Sequence, residues 1–160
     1  MKIFARRRVL VVDDNAHARA FLAQILGAVD IEVTQAESGQ QALTMLRTAA
    51  AVDAVILDMF MTPMDGIALA RAVRASDKAQ VAALPIIMAS AQASAEVVRG
   101  AVGAGVSGFI AKPFTPAAVL KSLAKALTPR PAGTARPTAV NAGPSPAAPV
   151  DDDPQAMTYL

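Results

Sequence analysis

The sequence predicts an α/β fold: a doubly wound, five-stranded parallel sheet with five helices on its two faces. Apolar runs such as residues 55–57 do not alternate with polar residues, which is typical of strands buried on both faces of a parallel sheet. These runs alternate with segments of helical periodicity, as expected when parallel strands are joined by right-handed crossovers. A chain of 160 residues with 54% hydrophobic composition can bury one sizeable core and is short for two.

The first strands and helices follow one another within the first fifty residues. Residues 9–12 form an apolar, β-branched run, and residues 15–28 then carry apolar side chains at helical spacing. Residues 31–36 alternate and predict a more exposed strand. Ser38 is the expected N-cap of the second helix, since its side chain can accept a hydrogen bond from a free amide of the first turn.

The third strand ends in Asp58, and a helix of about two turns is expected at 67–75. Residues 84–90 predict a fourth strand, in which Pro85 stands at the start, where a missing amide donor is tolerated.

Residues 93–104 predict a weak helix, because three valines and two glycines lower its propensity. Residues 107–111 predict the fifth strand, after which Thr115 is expected to cap the last helix.

Composition excludes several classes of protein. Without cysteine the chain has neither disulfides nor thiolate metal sites. With no Trp and one Tyr, it has little material for stacking on bases. Residues 9–127 carry nine bases and ten acids, so the three arginines at 6–8 are interpreted as a solvated lead-in and we expect no direct binding of nucleic acid.

No apolar stretch reaches the roughly 18 residues of a membrane span, and the N-terminus lacks the apolar region of a signal peptide. A cytoplasmic protein without a membrane partner is therefore expected. The composition divides the chain into a basic lead-in (1–8), one folded domain (9–127) and a Pro/Ala-rich tail (128–160) that we expect to be disordered, including its apolar last four residues.

Polar residues stand at the ends of four apolar strands: Asp13 and Asp14, then Asp58, Ser90 and Lys112. The carboxyl ends of parallel strands meet at one edge of the sheet, where open α/β folds bind ligands. Two carboxylates about 4 Å apart repel by around 4 kcal/mol at an effective dielectric constant near 20, so three clustered aspartates need a cation or raised pKa values. An all-oxygen ligand set without His or Cys favours Mg²⁺.

Such a site has a defined chemistry. One aspartate can act as a nucleophile and form an aspartyl-phosphate. A lysine and a metal ion neutralise charge on the transferred phosphoryl group, and a serine hydroxyl can donate a hydrogen bond to one of its oxygens.

With these residues in place, the chain from Val9 to about Leu127 resembles a response regulator receiver domain of the chemotaxis-receiver type. The acidic pair matches Asp13 and Asp14, the phosphoacceptor matches Asp58, the hydroxyl position matches Ser90, and the Lys-Pro pair matches Lys112 and Pro113. The resemblance implies the flavodoxin-like strand order 2-1-3-4-5.

The resemblance also implies roles for individual residues. Asp14, Asp58 and the backbone carbonyl of Phe60 would ligate Mg²⁺, and Asp13 would hold a metal-bound water. In the family, phosphorylation draws the hydroxyl residue (here Ser90) inward, and an aromatic residue (here Phe109) follows it. This movement remodels the surface formed by the fourth predicted helix, the fifth strand and the fifth predicted helix.

Two features depart from the family pattern. The loop reads Met61-Thr62-Pro63-Met64, with its proline displaced by one position. Phe60 stands where many relatives have a polar residue that governs attack of water on the aspartyl-phosphate. We therefore expect slow self-dephosphorylation, which the polar Gln92 could partly offset.

The expected function is that of a stand-alone receiver rather than an enzyme acting on a free substrate. It would accept a phosphoryl group on Asp58 from a sensor histidine kinase or a phosphotransfer protein and signal to an unknown downstream protein, with a phosphorylation-dependent dimer left open. The alternatives are a Mg²⁺-dependent phosphohydrolase, disfavoured because no second Asp stands two residues after Asp58, and a receiver-like binding module independent of phosphorylation. A DNA-binding regulator is disfavoured because no helix-turn-helix pattern follows Leu127.

Overall fold

In the computed structural model, residues 2–48 and 51–128 are described, and they form a five-stranded sheet between two layers of helices. The predicted tail, apart from Thr128, lies outside the described residues, as does the apolar end at 157–160. Among the described residues, no helix is both long and apolar enough to cross a membrane.

The secondary structure follows the predicted alternation. The strands are β1 (Arg8–Val12), β2 (Glu32–Ala36), β3 (Ala54–Asp58), β4 (Ile86–Ser90) and β5 (Gly108–Ala111). The α-helices are α1 (Ala16–Gly27), α2 (Gly39–Thr48), α3 (Gly66–Arg74), α4 (Ala79–Ala82), α5 (Ala95–Gly103) and α6 (Pro116–Leu127), and a 3-10 turn covers Lys2–Phe4. The fourth and fifth helices predicted from the sequence are therefore α5 and α6.

The sheet is parallel throughout, with the strand order β2-β1-β3-β4-β5, which confirms the predicted topology. In the register, Val12 lies beside Leu57, Asp58 beside Ala89 and Ser90 beside Ala111. The carboxyl ends of β1, β3, β4 and β5 thus lie within two residues of one another at one edge of the sheet.

Both faces of the sheet are buried, which explains the continuous apolar runs in the sequence. The side chains that face α2, α3 and α5 are Leu10, Val12, Val55, Leu57, Ile86 and Met88. Those that face α1 and α6 are Val9, Val11, Ala54, Ile56, Ile87 and Ile110. The strands β1, β3 and β4 alternate between two apolar clusters, so a one-residue slip in register would exchange the two sets. The edge strand β2 is more exposed, as its alternating sequence predicted.

The helices other than α4 begin at side chains that accept a hydrogen bond from the first turn. The predicted caps are confirmed: Ser38 Oγ accepts from the amide of Gln41 at 3.1 Å, and Thr115 Oγ1 accepts from the amide of Ala118 at 3.1 Å. Ser94 caps α5 in the same way, so this helix has a defined start despite its valines and glycines.

Helix α4 was not predicted, because four residues offer no periodicity to detect. It is held by Arg74 of α3, whose guanidinium donates to the carbonyls of Ala82 and Leu84 at 2.8 and 2.7 Å. The same side chain donates to the carbonyl of Gly105, where φ is +90° and a Cβ would lie 2.8 Å from Arg74 Nε.

The lead-in before the first strand has a structural part as well as a charged one. Phe4 is completely buried in the cluster beneath α1 and α6, and the amide of Arg7 donates to its carbonyl at 3.0 Å. Arg6 and Arg8 are exposed, as the sequence indicated, but Arg8 already belongs to β1. Burial of an aromatic ring makes these residues part of the folded unit.

Candidate functional site

The sheet brings the predicted site residues together at one edge. Asp13 follows the last residue of β1, Asp58 ends β3, Ser90 ends β4, and Lys112 follows β5. Asp13, Asp58 and Ser90 are buried although they are polar, and Asp14 is exposed. Buried polar groups need partners, and these residues find them in one another and in the loops that follow the strands.

Lys112 is the cation of this cluster. Its Nζ lies 2.7 Å from Asp58 Oδ1 and 3.3 Å from Asp13 Oδ2. Its side chain is 24% exposed, whereas those of the two aspartates are 8% and 4% exposed. The ammonium group therefore sits between two nearly buried carboxylates, with one side open to solvent.

Three carboxylates converge beside it. Asp13, Asp14 and Asp58 each offer an oxygen, and these oxygens all lie within 4.8 Å of one another. The Asp13 oxygen that does not contact Lys112, Oδ1, accepts a hydrogen bond from the amide of Asn15 at 2.9 Å. A single lysine balances only part of the negative charge of three ionised carboxylates.

The pKa values reflect this imbalance. Burial raises the pKa of Asp58 above its usual range, and the charges of Asp13 and Asp14 add to the rise, while the hydrogen bond from Lys112 opposes it without cancelling it. Burial lowers the pKa of Lys112, but its hydrogen bond and charge interactions with Asp58 and Asp13 outweigh burial, so the pKa of Lys112 is raised. Lys112 thus stays protonated at neutral pH.

The donor set fits a divalent cation that prefers oxygen. Three carboxylate oxygens at this spacing are hard ligands of the kind that Mg²⁺ accepts, and there is no nitrogen or sulfur donor among them. Asp14 is exposed, so the cluster is open to solvent on its side. Such an opening suits an ion that keeps several of its waters.

Ser90 and Phe109 lie on neighbouring strands. Ser90 is completely buried, follows the residue paired with Asp58, and its Oγ accepts a hydrogen bond from the amide of Gln92 at 3.0 Å. Phe109 is half-buried, pairs with Met88 on β4 and packs against the cluster beneath α5. The two predicted switch residues thus lie on adjacent strands.

Phe60 and Gln92 flank the site from the loops after β3 and β4. The Phe60 side chain is 48% exposed, and Gln92 is also exposed. In the loop with the displaced proline, the Thr62–Pro63 peptide is cis, and Met61 is buried. Phe60 is therefore partly exposed to solvent, two residues after Asp58.

Two residues that support the site were missed by the sequence analysis. A Cβ on Gly66 would lie 2.5 Å from the carbonyl oxygen of Asp58, so only glycine allows α3 to begin this close to β3. Arg19 donates from Nη1 to the carbonyl of Asp13 at 2.7 Å. Neither residue stands in a sequence pattern that reveals its role, because the role depends on a contact with a backbone carbonyl of another segment.

Comparisons with known proteins agree with this geometry. Residues 9–124 match the family model of the response regulator receiver domain. Chemotaxis protein CheY-3 of Vibrio cholerae is 36% identical over 119 residues, which cover 74% of this chain and 89% of that protein. The solved structure of chemotaxis protein CheY4 of Vibrio cholerae is similar with a TM-score of 0.69 and 33% identity, covering 74% of this chain and 97% of that one. A response regulator receiver protein from Pseudomonas putida gives a TM-score of 0.68 at 34% identity, covering 76% and 98%.

Proposed function

Because the chain belongs to the response regulator receiver domain family, we propose that it accepts a phosphoryl group on Asp58 from a histidine kinase or a phosphotransfer protein. It then signals by contact with a downstream protein. The observation that carries this proposal is the 2.7 Å contact of Lys112 Nζ with Asp58 Oδ1, inside a cluster of three carboxylates at the carboxyl edge of the sheet.

The chemical step uses the Asp58 carboxylate as the nucleophile. One of its oxygens attacks the phosphorus of a phosphohistidine and forms an acyl–phosphate bond. The P–N bond breaks, and its electron pair passes to the donor imidazole, which takes up a proton. Hydrolysis later releases inorganic phosphate and restores the carboxylate. The chain therefore alternates between a phosphorylated and an unphosphorylated state and serves as a switch.

Lys112 orients and balances charge in this step. Its ammonium already contacts the Asp58 carboxylate, and it can donate to a phosphoryl oxygen once that carboxylate has become an acyl phosphate. The buried Ser90 hydroxyl, at the end of the adjacent strand, is the second donor for that group.

The residues that would hold Mg²⁺ are Asp14, Asp58 and the backbone carbonyl of Phe60, with Asp13 contributing through water. When bound, the ion would neutralise charge shared by the carboxylates and the phosphoryl oxygens. The acids can hold it because their oxygens already converge.

The output is a change in the surface around α5, β5 and α6. A phosphoryl group on Asp58 adds negative charge and three acceptor oxygens beside Ser90. If Ser90 turns toward these oxygens, its bond with the amide of Gln92 is lost and space opens for Phe109 on the next strand. Phe109 is half-buried, so its ring can alternate between packing and exposure.

Phosphorylation by acetyl phosphate, followed by intact mass spectrometry, tests the proposal. The wild type should gain a single phosphoryl group, about 80 Da, in the presence of Mg²⁺ and none in EDTA. Asp58→Asn should gain none, and Asp77→Asn, which alters an exposed aspartate before α4, should behave like the wild type.

The outcome also separates the alternatives. Stoichiometric incorporation with slow decay supports a switch, whereas rapid turnover of acetyl phosphate would point to a phosphohydrolase. No incorporation under any condition would leave a receiver-like binding module that does not depend on phosphorylation.

A further inference from the structure

Arg19 reaches from α1 to the loop after β1, which carries Asp13 and Asp14. Its Nη1 donates to the backbone carbonyl of Asp13 at 2.7 Å, and its Nε donates to Gln35 Oε1 on β2 at 3.2 Å. The side chain is half-buried and lies one turn after Asn15, which caps α1 and also donates its amide to Asp13 Oδ1. Arg19 therefore connects the first helix to the segment that carries two of the three carboxylates.

Asp13 is held at four atoms. Its amide donates to the carbonyl of Ala36, and its carboxylate accepts from the amide of Asn15 and from Lys112. The fourth contact, from Arg19, differs because it fixes the carbonyl of the peptide that joins Asp13 to Asp14. A peptide group is planar, so fixing its carbonyl also fixes the direction in which the chain enters Asp14.

That direction matters because Asp14 is exposed, and its carboxylate must nevertheless converge with those of Asp13 and Asp58 to within 4.8 Å. Mutual repulsion of the three groups pushes the loop apart. The charge-assisted hydrogen bond from Arg19 holds the peptide between Asp13 and Asp14 in place against this repulsion. Because its acceptor is a backbone carbonyl, the carboxylate oxygens stay free to bind a cation.

We propose that Arg19 is a positioning residue of the divalent-cation site, an inference that rests on the proposed function. It holds the peptide between Asp13 and Asp14 so that both carboxylates face Asp58. The guanidinium charge by itself would repel a cation. Loss of Arg19 should therefore weaken cation binding, although it removes a positive charge near the site.

Calorimetric titration of the unphosphorylated protein with Mg²⁺ alone tests this inference. Arg19→Ala should raise the dissociation constant for Mg²⁺ about tenfold, the lower end of the effect seen for partners that orient metal ligands. Arg19→Lys keeps a donor for the Asp13 carbonyl and should recover most of the affinity. Gln35→Ala is the matched control, because it removes the other partner of Arg19 and should leave binding close to wild type.

Unfolding of each variant in EDTA shows whether it is folded, and a shift of the unfolding midpoint by Mg²⁺ gives a second measure of affinity. If Arg19→Ala is poorly folded, Arg19→Lys against Gln35→Ala still tests the claim, since only the former changes the group that contacts the Asp13 carbonyl. A dissociation constant of Arg19→Lys slightly above those of both the wild type and Gln35→Ala supports positioning through that carbonyl, and no difference among the three proteins would overturn it.

Unchanged binding in a folded Arg19→Ala would overturn the inference, and tighter binding would show that Arg19 acts only as a repelling charge. Equal losses in Arg19→Ala and Gln35→Ala would overturn it as well, in favour of packing between α1 and β2. A wild type that binds no Mg²⁺ would also defeat it. A wild type that binds Mg²⁺ normally but gains no phosphoryl group from acetyl phosphate would contradict the proposed function and would leave this inference standing.

Discussion

Lys112 Nζ lies 2.7 Å from Asp58 Oδ1, although 54 residues separate the two in the chain. The contact exists because β3 and β5 both end at the carboxyl edge of the sheet, with β4 between them. Lys112 also reaches Asp13 after β1, so one ammonium spans the ends of three strands. The fold and the charge balance of the site therefore depend on each other.

The first prediction concerns Lys112→Ala. Removing the ammonium leaves two nearly buried carboxylates without their cation, so the free energy of unfolding at pH 7 should fall by about 1–2 kcal/mol. This is less than the 3–5 kcal/mol of a fully buried pair, because the Lys112 side chain is 24% exposed. Urea unfolding measures the change, and Lys121→Ala on the exposed side of α6 is the control. Equal stabilities of the two variants would show that the ion pair contributes nothing.

Asp58→Asn should have the opposite effect. The pKa of Asp58 is raised by burial and by the charges of Asp13 and Asp14. The Asp58 carboxyl therefore stays protonated to higher pH in the folded state than in the unfolded state. The wild type therefore loses stability relative to the variant as pH rises from the ordinary aspartate pKa, about 3.9, through the folded-state pKa of Asp58. At pH 7 the variant should be more stable by about 1 kcal/mol, the scale of a typical substitution.

Unfolding curves at pH 3 and pH 7 measure this difference, which should be larger at the higher pH. Asp77→Asn, at an exposed site, is the control. A variant of Asp58 that is less stable than the wild type at pH 7 would mean that Lys112 more than offsets the burial of the carboxylate.

Phe60→Asn should shorten the lifetime of the phosphorylated form. Phe60 is 48% exposed two residues after Asp58, and its apolar ring cannot orient water, whereas an amide can. Decay should be about three- to tenfold faster, below the range of full general acid–base catalysis. The loss of phosphoryl mass after removal of acetyl phosphate gives the rate, with Val102→Asn at an exposed position of α5 as the control. An unchanged lifetime would contradict the role given to Phe60.

Gly66→Ala tests the close approach of α3 to β3. A Cβ at this position would lie 2.5 Å from the carbonyl oxygen of Asp58, so the backbone must shift. The free energy of unfolding should fall by about 1–3 kcal/mol, as for other overpacked sites, and phosphorylation should slow because the nucleophile moves. Gly103→Ala is the matched control, since nothing lies within 4 Å of its Cβ. It should be neutral or slightly stabilising, and equal losses in both variants would refute the steric argument.

The sheet and the meeting of Asp13, Asp58, Ser90 and Lys112 at one of its edges were predictable because their signals are local. Four of the strands are short apolar runs that end in a polar residue or directly before one, and parallel pairing brings these ends together without any knowledge of distant contacts. Ser38 and Thr115 were recognised as caps because capping depends on residues within one turn.

Other features were not predictable for physical reasons. Helix α4 is too short to show a period, and it depends on Arg74 from another helix. Phe4 stands among charged residues, and only the tertiary structure shows that its ring fills the core. Arg19 and Gly66 both contact backbone carbonyls. Every residue has such a carbonyl, so the sequence does not show which one is contacted.

The central claim, that Asp58 is the phosphoacceptor, is tested most directly by locating the modified residue. Borohydride reduces an aspartyl-phosphate to homoserine, and peptide mass spectrometry then identifies the residue that changed. After treatment with acetyl phosphate and Mg²⁺, homoserine should appear at position 58 only, with Asp13 and Asp14 intact. Homoserine at position 13 or 14, or at none of the three, would contradict the assignment of the nucleophile.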